Sequence, residues 1–325
     1  MAPNRAPMIE RGARVLVIGG TRFIGRLTCE AALAAGAEVT LLHRGQTPAP
    51  HLAEGSVRHV YGDRHDRAAL AQAFARDYDA VLDMIAYRAE DVAPLLTDHA
   101  ARIGHLVVCS TTSVYAPALY QPIDEDHPRG PHPAWGGYNE GKNAVEDLLQ
   151  GSSRVRATTL RPQWVFGPHD YQHLAEHYLA RIAAGLPIWL WHPGVAQLNW
   201  TYGPDLAAAF LRIAGSPAAA PAYNVCCAET LTTLDWIALC GRVLGRQPDV
   251  RFYRPEDLPA SLPARRIGPV RNLPLACSAL RIAADAGFRP TPLEEAVAST
   301  ASWLRTSGAF AAVEPSATER HLAGT

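Results

Sequence analysis

The sequence predicts an α/β fold: a doubly wound parallel sheet followed by a smaller C-terminal α/β lid. Three observations carry that prediction. Strand and helix signals alternate through the first half of the chain, the pattern of a parallel sheet covered by helices on both faces. The first apolar strand, Val15-Leu16-Val17-Ile18, breaks into glycines and restarts as a helix. Beyond Pro162 the alternation loosens into aromatic segments and helices.

Taken in order, the strand candidates are Arg14 to Ile18, Glu38 to Leu42, Val57 to Tyr61, Ala80 to Ile85, His105 to Cys109 and Arg156 to Leu160, with helices between them. Ile24 to Ala35 carries small and apolar residues and stops at Gly36, as a helix ended by a left-handed glycine should. Later helices are expected over Leu174 to Ala184, Asp205 to Ile213, Leu234 to Leu244 and Leu293 to Leu304. Residues Ser216 to Pro221, rich in Pro and Ala, form a surface connection. This divides the chain into a nucleotide-binding domain over 13–168, receiving further elements from about 195–228, and a mainly substrate-binding domain over 169–310. The tails 1–12 and 311–325 are expected to be frayed or disordered.

A chain of 325 residues with 48% hydrophobic content can bury a substantial core. Thirty basic against thirty-one acidic side chains leave a net charge of -1, so no global field pulls the molecule onto nucleic acid or an anionic membrane. The N-terminal residues lack the apolar core of a signal peptide and no apolar run is long enough to span a bilayer, so a cytoplasmic protein is expected. Of six cysteines, only the adjacent Cys226 and Cys227 are unusual. They sit in a short strand-like segment and read as small buried hydrophobes.

The chemistry-bearing motifs are two. Gly19-Gly20-Thr21-Arg22-Phe23-Ile24-Gly25 follows the first strand and opens a helix, a placement that points backbone N–H groups and a helix dipole at an anion such as a dinucleotide's phosphates. The second strand ends in His43-Arg44 about 20 residues later, where the ribose contact of such a site belongs. A cation there suits a 2'-phosphate and favours NADP(H) over NAD(H). The alternative for Arg44 is a solvated surface residue. Far downstream, Tyr138 and Lys142 stand four apart on a helix and share one face, a surface pair on spacing alone and a proton-transfer pair in the right setting.

With these residues in view the chain resembles the extended short-chain dehydrogenase/reductase family, the NAD(P)-dependent epimerase/dehydratase type, over about residues 14 to 305. The resemblance rests on the GGTRFIG loop of residues 19–25, Gly62-Asp63, Ser110-Thr111-Thr112-Ser113-Val114-Tyr115, Tyr138 to Lys142, and Leu160-Arg161-Pro162 leading to Phe166-Gly167-Pro168. It implies a Rossmann-type sheet, a homodimer, and a cofactor held by the loop, Asp63 at the adenine, and Ile85 and Ala86 along the floor. It also implies that Tyr138 is the acid/base, that Lys142 holds the ribose hydroxyls and favours the phenolate, whose free pKa is about 10, and that Thr111 hydrogen-bonds the substrate oxygen. Tyr87, Ser113, Trp135, Trp164, Trp189, Trp200 and Arg266 are the substrate-side candidates. Each Trp is equally a candidate for core packing.

Departures from the family pattern narrow the function. Arg22 replaces the loop's usual central glycine, a feature shared with the chloroplast stem-loop RNA-binding relatives. Thr112 and Ser113 stand where nucleotide-sugar 4,6-dehydratases carry Asp and Glu, and hydroxyls do not replace that carboxylate pair in water elimination. Trp164 and the uncharged Gln197-Leu198 stand where diphosphate contacts belong, leaving Arg265 and Arg266 to supply one. His169, Asp170, His173 and His177 show no third ligand at metal-site spacing, so no metal is expected. Asp124-Glu125-Asp126 reads as a solvated turn. The expectation is an NAD(P)(H)-dependent oxidoreductase acting at a secondary alcohol or ketone of a small molecule. An epimerase with tightly held cofactor and a non-redox RNA-associated or binding protein on the same fold are the alternatives.

Overall fold

The computed structural model describes residues 8–49, 52, 55–191, 193–254, 256, 258–259, 268–269, 273–308, 310 and 314–324. Along the chain the elements are β1 Arg14–Ile18, α1 Phe23–Ala34, β2 Glu38–His43, β3 Val57–Tyr61, α2 Arg67–Ala73, β4 Ala80–Asp83, α3 Ala89–Thr97, β5 Leu106–Cys109, α4 Gly137–Gln150 and β6 Ala157–Pro162. They continue as β7 Val165–Phe166, α5 Leu174–Ala184, β8 Ile188–Trp191, β9 Gln197–Leu198, β10 Thr201–Tyr202, α6 Gly203–Gly215, β11 Ala222–Val225, β12 Leu231–Thr232, α7 Thr233–Leu244, β13 Val250–Tyr253, α8 Leu280–Ala286, α9 Leu293–Thr306 and α10 Ala317–Ala323. Two compact units form. The first is Met1–Gln163 with Gly203–Cys226 and Cys277–Pro290; the second is Trp164–Tyr202 with Cys227–Ala276 and Thr291–Thr325.

In the first unit seven strands make one sheet in the order β11-β6-β5-β4-β1-β2-β3, every adjacent pair parallel. The strands are buried runs, as a parallel sheet covered on both faces requires. Leu16, Ile18, Leu42, Val60, Val81 and Val108 share one core with α2, α3 and α4, while α1 and α6 pack together over the other face. This is a Rossmann-type, doubly wound α/β fold. The chain order reverses between β1 and β4, the crevice where ligands of such sheets bind.

Local chemistry sets the boundaries. Past the end of α1, Gly36 takes φ 82° and its N–H bonds Leu33 O at 2.9 Å, the left-handed termination the sequence announces. β4 is shorter than its apolar run, because the Asp83 carboxylate turns back to accept the Ile85 N–H at 3.0 Å. β6 runs on to Pro162 and places Arg161 inside the sheet.

A buried ion pair secures α4 against that strand. Glu146 is fully buried and Arg161 is 2% exposed. Arg161 bonds both oxygens of Glu146, at 3.0 and 2.5 Å, and its third nitrogen reaches the Tyr115 hydroxyl at 2.9 Å. Ser110 donates to Glu146 at 2.5 Å, and Tyr115 donates onward to Asn224 at 2.7 Å. The Glu146 carboxylate, with the Tyr115 hydroxyl, pushes the Arg161 pKa up against the cost of burial. Glu125, read from sequence as part of a solvated turn, is buried instead: it accepts the Asn224 N–H at 2.7 Å and faces Arg281 at 3.5 Å. Burial raises its pKa.

The second unit has its own core of Phe166, Leu179, Ile188, Trp200, Trp236, Ile237, Val297 and Leu304. Both expected tails differ from the sequence reading. Near the N-terminus Ile9 is buried and its N–H bonds Leu211 O at 3.2 Å. Near the C-terminus, α10 opens with a Ser316/Glu319 capping box, and Glu319 pairs with Arg181 at 2.8 Å, both side chains buried. All six cysteines are free and buried.

Removing one member of a buried pair strands the other, at a cost of about 3–5 kcal/mol. Arg161→Met is therefore expected to lower the unfolding free energy by that amount, read from chemical denaturation. A loss below about 1 kcal/mol would show that Arg129, whose Nε lies 3.4 Å from Glu146, or a proton compensates the carboxylate.

Candidate active site

The sequence-predicted residues of the first unit collect along one edge, the carboxyl ends of the parallel strands. At the end of β1, Gly19 adopts φ 86°, and a Cβ there would lie 2.7 Å from the side chain of Ile85. Gly25 seats α1 directly on the loop: a Cβ at that position would lie 2.1 Å from Gly19 O. Arg22, the N-cap residue, makes no capping hydrogen bond with its side chain, and Phe23 opens the helix at φ 38°, a strained value for a non-glycine residue. Thr21 and Ile24 are half-buried and Arg22 is exposed. A close-packed glycine cradle at a helix N-terminus with no side-chain cap fits a dinucleotide's diphosphate, and the residues present suit that group.

At the end of β2 the two basic candidates diverge. Arg44 is exposed, whereas His43 is buried and its Nε2 lies 2.9 Å from His59 Nδ1 on β3. Burial, and secondarily the charge of His59, lower the His43 pKa. After β3, Asp63 is half-buried and accepts the His65 N–H at 2.9 Å through one oxygen. After β4, Ile85 and Ala86 follow Asp83, which is fully buried and held by a two-pronged pair with Arg64 at 2.8 Å. Arg64 also contacts Asp91, and Asp91 accepts the N–H groups of Tyr87 at 2.6 Å and Arg88 at 2.9 Å, capping α3. This ionic brace beneath Ile85 and Ala86 went unnoticed in the sequence. Its only local signal is Arg64 directly after the Gly62-Asp63 motif.

Helix α4 carries the sequence-predicted pair Tyr138 and Lys142. Tyr138, Lys142 and Glu146 recur every fourth residue and therefore line one stripe of the helix. Glu146 is the ion-pair anchor described above. Lys142 is 3% exposed, and its Nζ donates to Ala86 O at 2.8 Å and Cys109 O at 2.7 Å, the ends of β4 and β5. Burial lowers its pKa, opposed by Cys109, Asp83, Glu146 and Asp91. Tyr138 stands at the outer end, 45% exposed. The Tyr87 ring, as exposed as Tyr138, has its centroid 4.6 Å from Lys142 Nζ and 6.4 Å from the Tyr138 ring. Thr111 caps the turn Thr112–Val114, its Oγ1 3.2 Å from Ser113 N and 3.1 Å from Ser113 Oγ. Asn139 donates to Ser113 O at 2.5 Å and Gly130 O at 3.0 Å, tying that turn to α4. Trp135, half-buried, precedes the helix with its ring 6.2 Å from His132.

The remaining aromatic candidates belong to the second unit and are packing residues there. Trp200 is fully buried, stacked on Trp236 at 3.7 Å and edge-on to Phe166 at 5.8 Å, which corrects its expected place against a substrate. Trp189 is buried with Tyr253 and Leu258 under the Arg251 guanidinium, and is corrected in the same way. Trp164 is half-buried against the core of that unit at φ 41°. Arg265 and Arg266 lie outside the described residues. His173, Glu176 and His177 line a cavity of about 310 Å³ with Gln172, Gly268 and Pro269. Burial holds His177 neutral, its pKa lowered to about 4. Among the described residues no three His, Cys, Asp or Glu side chains are arranged to hold a metal, and no helix is long and apolar enough to cross a membrane.

A glycine cradle at the switch point of a parallel sheet, with a Tyr and a Lys converging on the same edge, defines a dinucleotide-dependent enzyme of the short-chain dehydrogenase/reductase type. Residues 15–226 match the NAD dependent epimerase/dehydratase family, and the chain belongs to it. It is 28% identical to a dTDP-4-dehydro-6-deoxy-D-allose reductase of Streptomyces bikiniensis, over 90% of this chain and 97% of that protein. It is 29% identical to a chloroplast stem-loop binding protein of Arabidopsis thaliana, over 75% of this chain and 67% of the relative. Among solved structures, dTDP-glucose 4,6-dehydratase from Bacillus anthracis in complex with NAD superposes with a TM-score of 0.77 at 16% identity, covering 92% of this chain and 98% of that one.

The spacing of α4 from the β4–α3 turn depends on one small residue. A Cβ on Gly141 would lie 2.3 Å from Tyr87 O. Gly141→Ala is expected to push the helix off that carbonyl, weakening cofactor binding at least about tenfold while far-ultraviolet dichroism stays native, since about 1.4 kcal/mol of lost contact suffices. Unchanged affinity would show that the helix tolerates the shift.

Proposed function

We propose that the protein is an NADP(H)-dependent oxidoreductase that interconverts a secondary alcohol and a ketone on a sugar-like or other small molecule. The observation that carries this reading is Lys142, buried and fixed by two strand-end carbonyls, directly beneath the exposed Tyr138 on the same stripe of α4. NADPH, when bound, supplies hydride to the carbonyl carbon. Tyr138 donates its phenolic proton to the carbonyl oxygen, which becomes the hydroxyl. The Lys142 ammonium stabilises the phenolate left behind, and Thr111 with Ser113 hydrogen-bonds the substrate oxygen. In the alcohol-oxidising direction Tyr138 takes that proton back. Tyr87 and Trp135 flank the same edge and suit an apolar or ring-bearing substrate.

Arg44, exposed past the end of β2 with no acidic residue beside it in sequence, supports NADP(H) over NAD(H). The net charge of -1 and the presence of both Tyr138 and Lys142 weigh against a nucleic-acid ligand, although a stem-loop binding protein is among the relatives. The working picture is a cytoplasmic homodimer.

The test begins with freshly purified protein, denatured and its released nucleotide identified, then the emptied protein titrated with NADPH and NADH. Loose, exchangeable NADPH with ketone-dependent oxidation supports a reductase. Retained oxidised cofactor with no net turnover would move the assignment to an epimerase, and no dinucleotide binding would end both readings. Tyr138→Phe should lower kcat by about 10²–10⁴-fold, the span usual for a lost acid/base, with cofactor affinity unchanged. A variant of normal kcat would remove Tyr138 from the chemistry.

A further inference from the structure

The ends of β2 and β3 carry a group of side chains that the reaction does not use. His43 Nε2 and His59 Nδ1 are 2.9 Å apart, so one ring donates and the other accepts. Tyr61 completes the cluster, its ring 4.8 Å from His43 and 5.7 Å from His59, nearly parallel to the latter. Register pairs His43 with Tyr61 and Leu41 with His59, which puts all three rings on one face of the two strands. His43 Nδ1 is buried and finds no hydrogen-bond partner among the described residues. Protonating the pair in the cofactor-free chain therefore adds a buried N–H with nothing to receive it.

The surrounding charges leave the pair sensitive to one further anion. On α1, which packs against this face of β2, Arg26 and Glu30 are paired with each other at 2.8 Å. On β3, Arg58 alternates to the opposite face and donates to Gln72 O at 3.3 Å. Asp63, two residues beyond Tyr61, has one oxygen engaged by His65 N. Arg44 is the next residue after His43, exposed at the strand end. Among the described residues, burial first and His59 second set the state of His43.

We infer that His43 and His59 form a proton-accepting pair that senses the 2'-phosphate of NADP(H), so that binding NADPH takes up a proton and binding NADH does not. The inference rests on the proposed placement of the 2'-phosphate beside Arg44. A phosphate there supplies the negative charge the neutral pair lacks, and the pair's affinity for a proton rises in the complex. By linkage, NADPH then binds more tightly as pH falls through the interval between the pair's free and bound titrations. The phosphate itself cannot mimic this. Its second pKa is about 6, and a neighbouring guanidinium drives it to lose a proton, which has the opposite sign.

The measurement is the dissociation constant of each coenzyme by isothermal titration from pH 8 to 6.5, in two buffers of different ionisation enthalpy. The expected ratio of NADH to NADPH dissociation constants rises about three- to tenfold over that range, with net proton uptake for NADPH alone. A flat ratio, or equal uptake with both coenzymes, overturns the pair's role. The absolute value of the ratio reports separately on the functional reading: NADH bound more tightly throughout, with the slope intact, would keep the histidine pair and reject the NADP(H) preference. His59→Asn keeps an amide near the Nδ1 position without titrating there, and should abolish the slope and the proton uptake. His43→Gln should do the same if His59→Asn does not fold. Persistence of the slope in either folded variant overturns the assignment.

Discussion

The position of α4 is the constraint on which the reactive edge depends. An ordinary surface helix is held by an apolar stripe, and α4 does bury Val145 and Leu149. What fixes its rotation is polar: Glu146 locked by Arg161 and Ser110, and Lys142 locked by the carbonyls of Ala86 and Cys109. Apolar contacts tolerate sliding, whereas a fully buried carboxylate gripped through both oxygens does not. Tyr138, two turns above that grip, inherits its placement. Tyr138 is the most exposed of the three, and the two buried side chains beneath it hold its backbone still.

The same division recurs at the cofactor edge. The glycines give close approach, and the Arg64, Asp83 and Asp91 brace holds the floor behind them. Arg64 and Lys142 are both buried, yet their energetics differ. The charge of Arg64 is matched by two carboxylates, and its pKa rises. Among the described residues Lys142 touches two carbonyls and no carboxylate, and burial lowers its pKa against the pull of Cys109, Asp83, Glu146 and Asp91. A lysine so placed is a cation held against the cost of burial.

Much of the first unit was legible in the sequence because its signals are local. A strand that ends in glycines, a helix that stops at Gly36, and a Tyr and Lys four apart each declare themselves within a few residues. The sheet and the loop follow from such signals, whereas the grouping of Thr111, Tyr138 and Lys142 was expected only from the family resemblance. What escaped reading is held by contacts between distant positions. Glu125 reads as a solvated turn because its partners, Asn224 and Arg281, are far along the chain. α10 reads as a tail because its anchor is an ion pair with Arg181, 138 residues earlier. Trp200 and Trp189 were misread for a related reason. Aromatic composition does not distinguish a ring that faces a ligand from one stacked on Trp236 or covered by Arg251.

The first unit is assembled from three separated stretches of chain, and that has a consequence for biosynthesis. When residue 163 has left the ribosome the nascent chain holds six parallel strands, but the edge beside β6 is open and the face over α1 lacks α6. The strand and helix that close them arrive with Gly203–Val225 and the last supporting segment with Cys277–Pro290. At about 5–20 residues per second this leaves an uncovered sheet exposed for several seconds during translation. The sheet of the first unit is thus completed only after Gly203–Val225 has been made, and its last supporting segment only after Pro290.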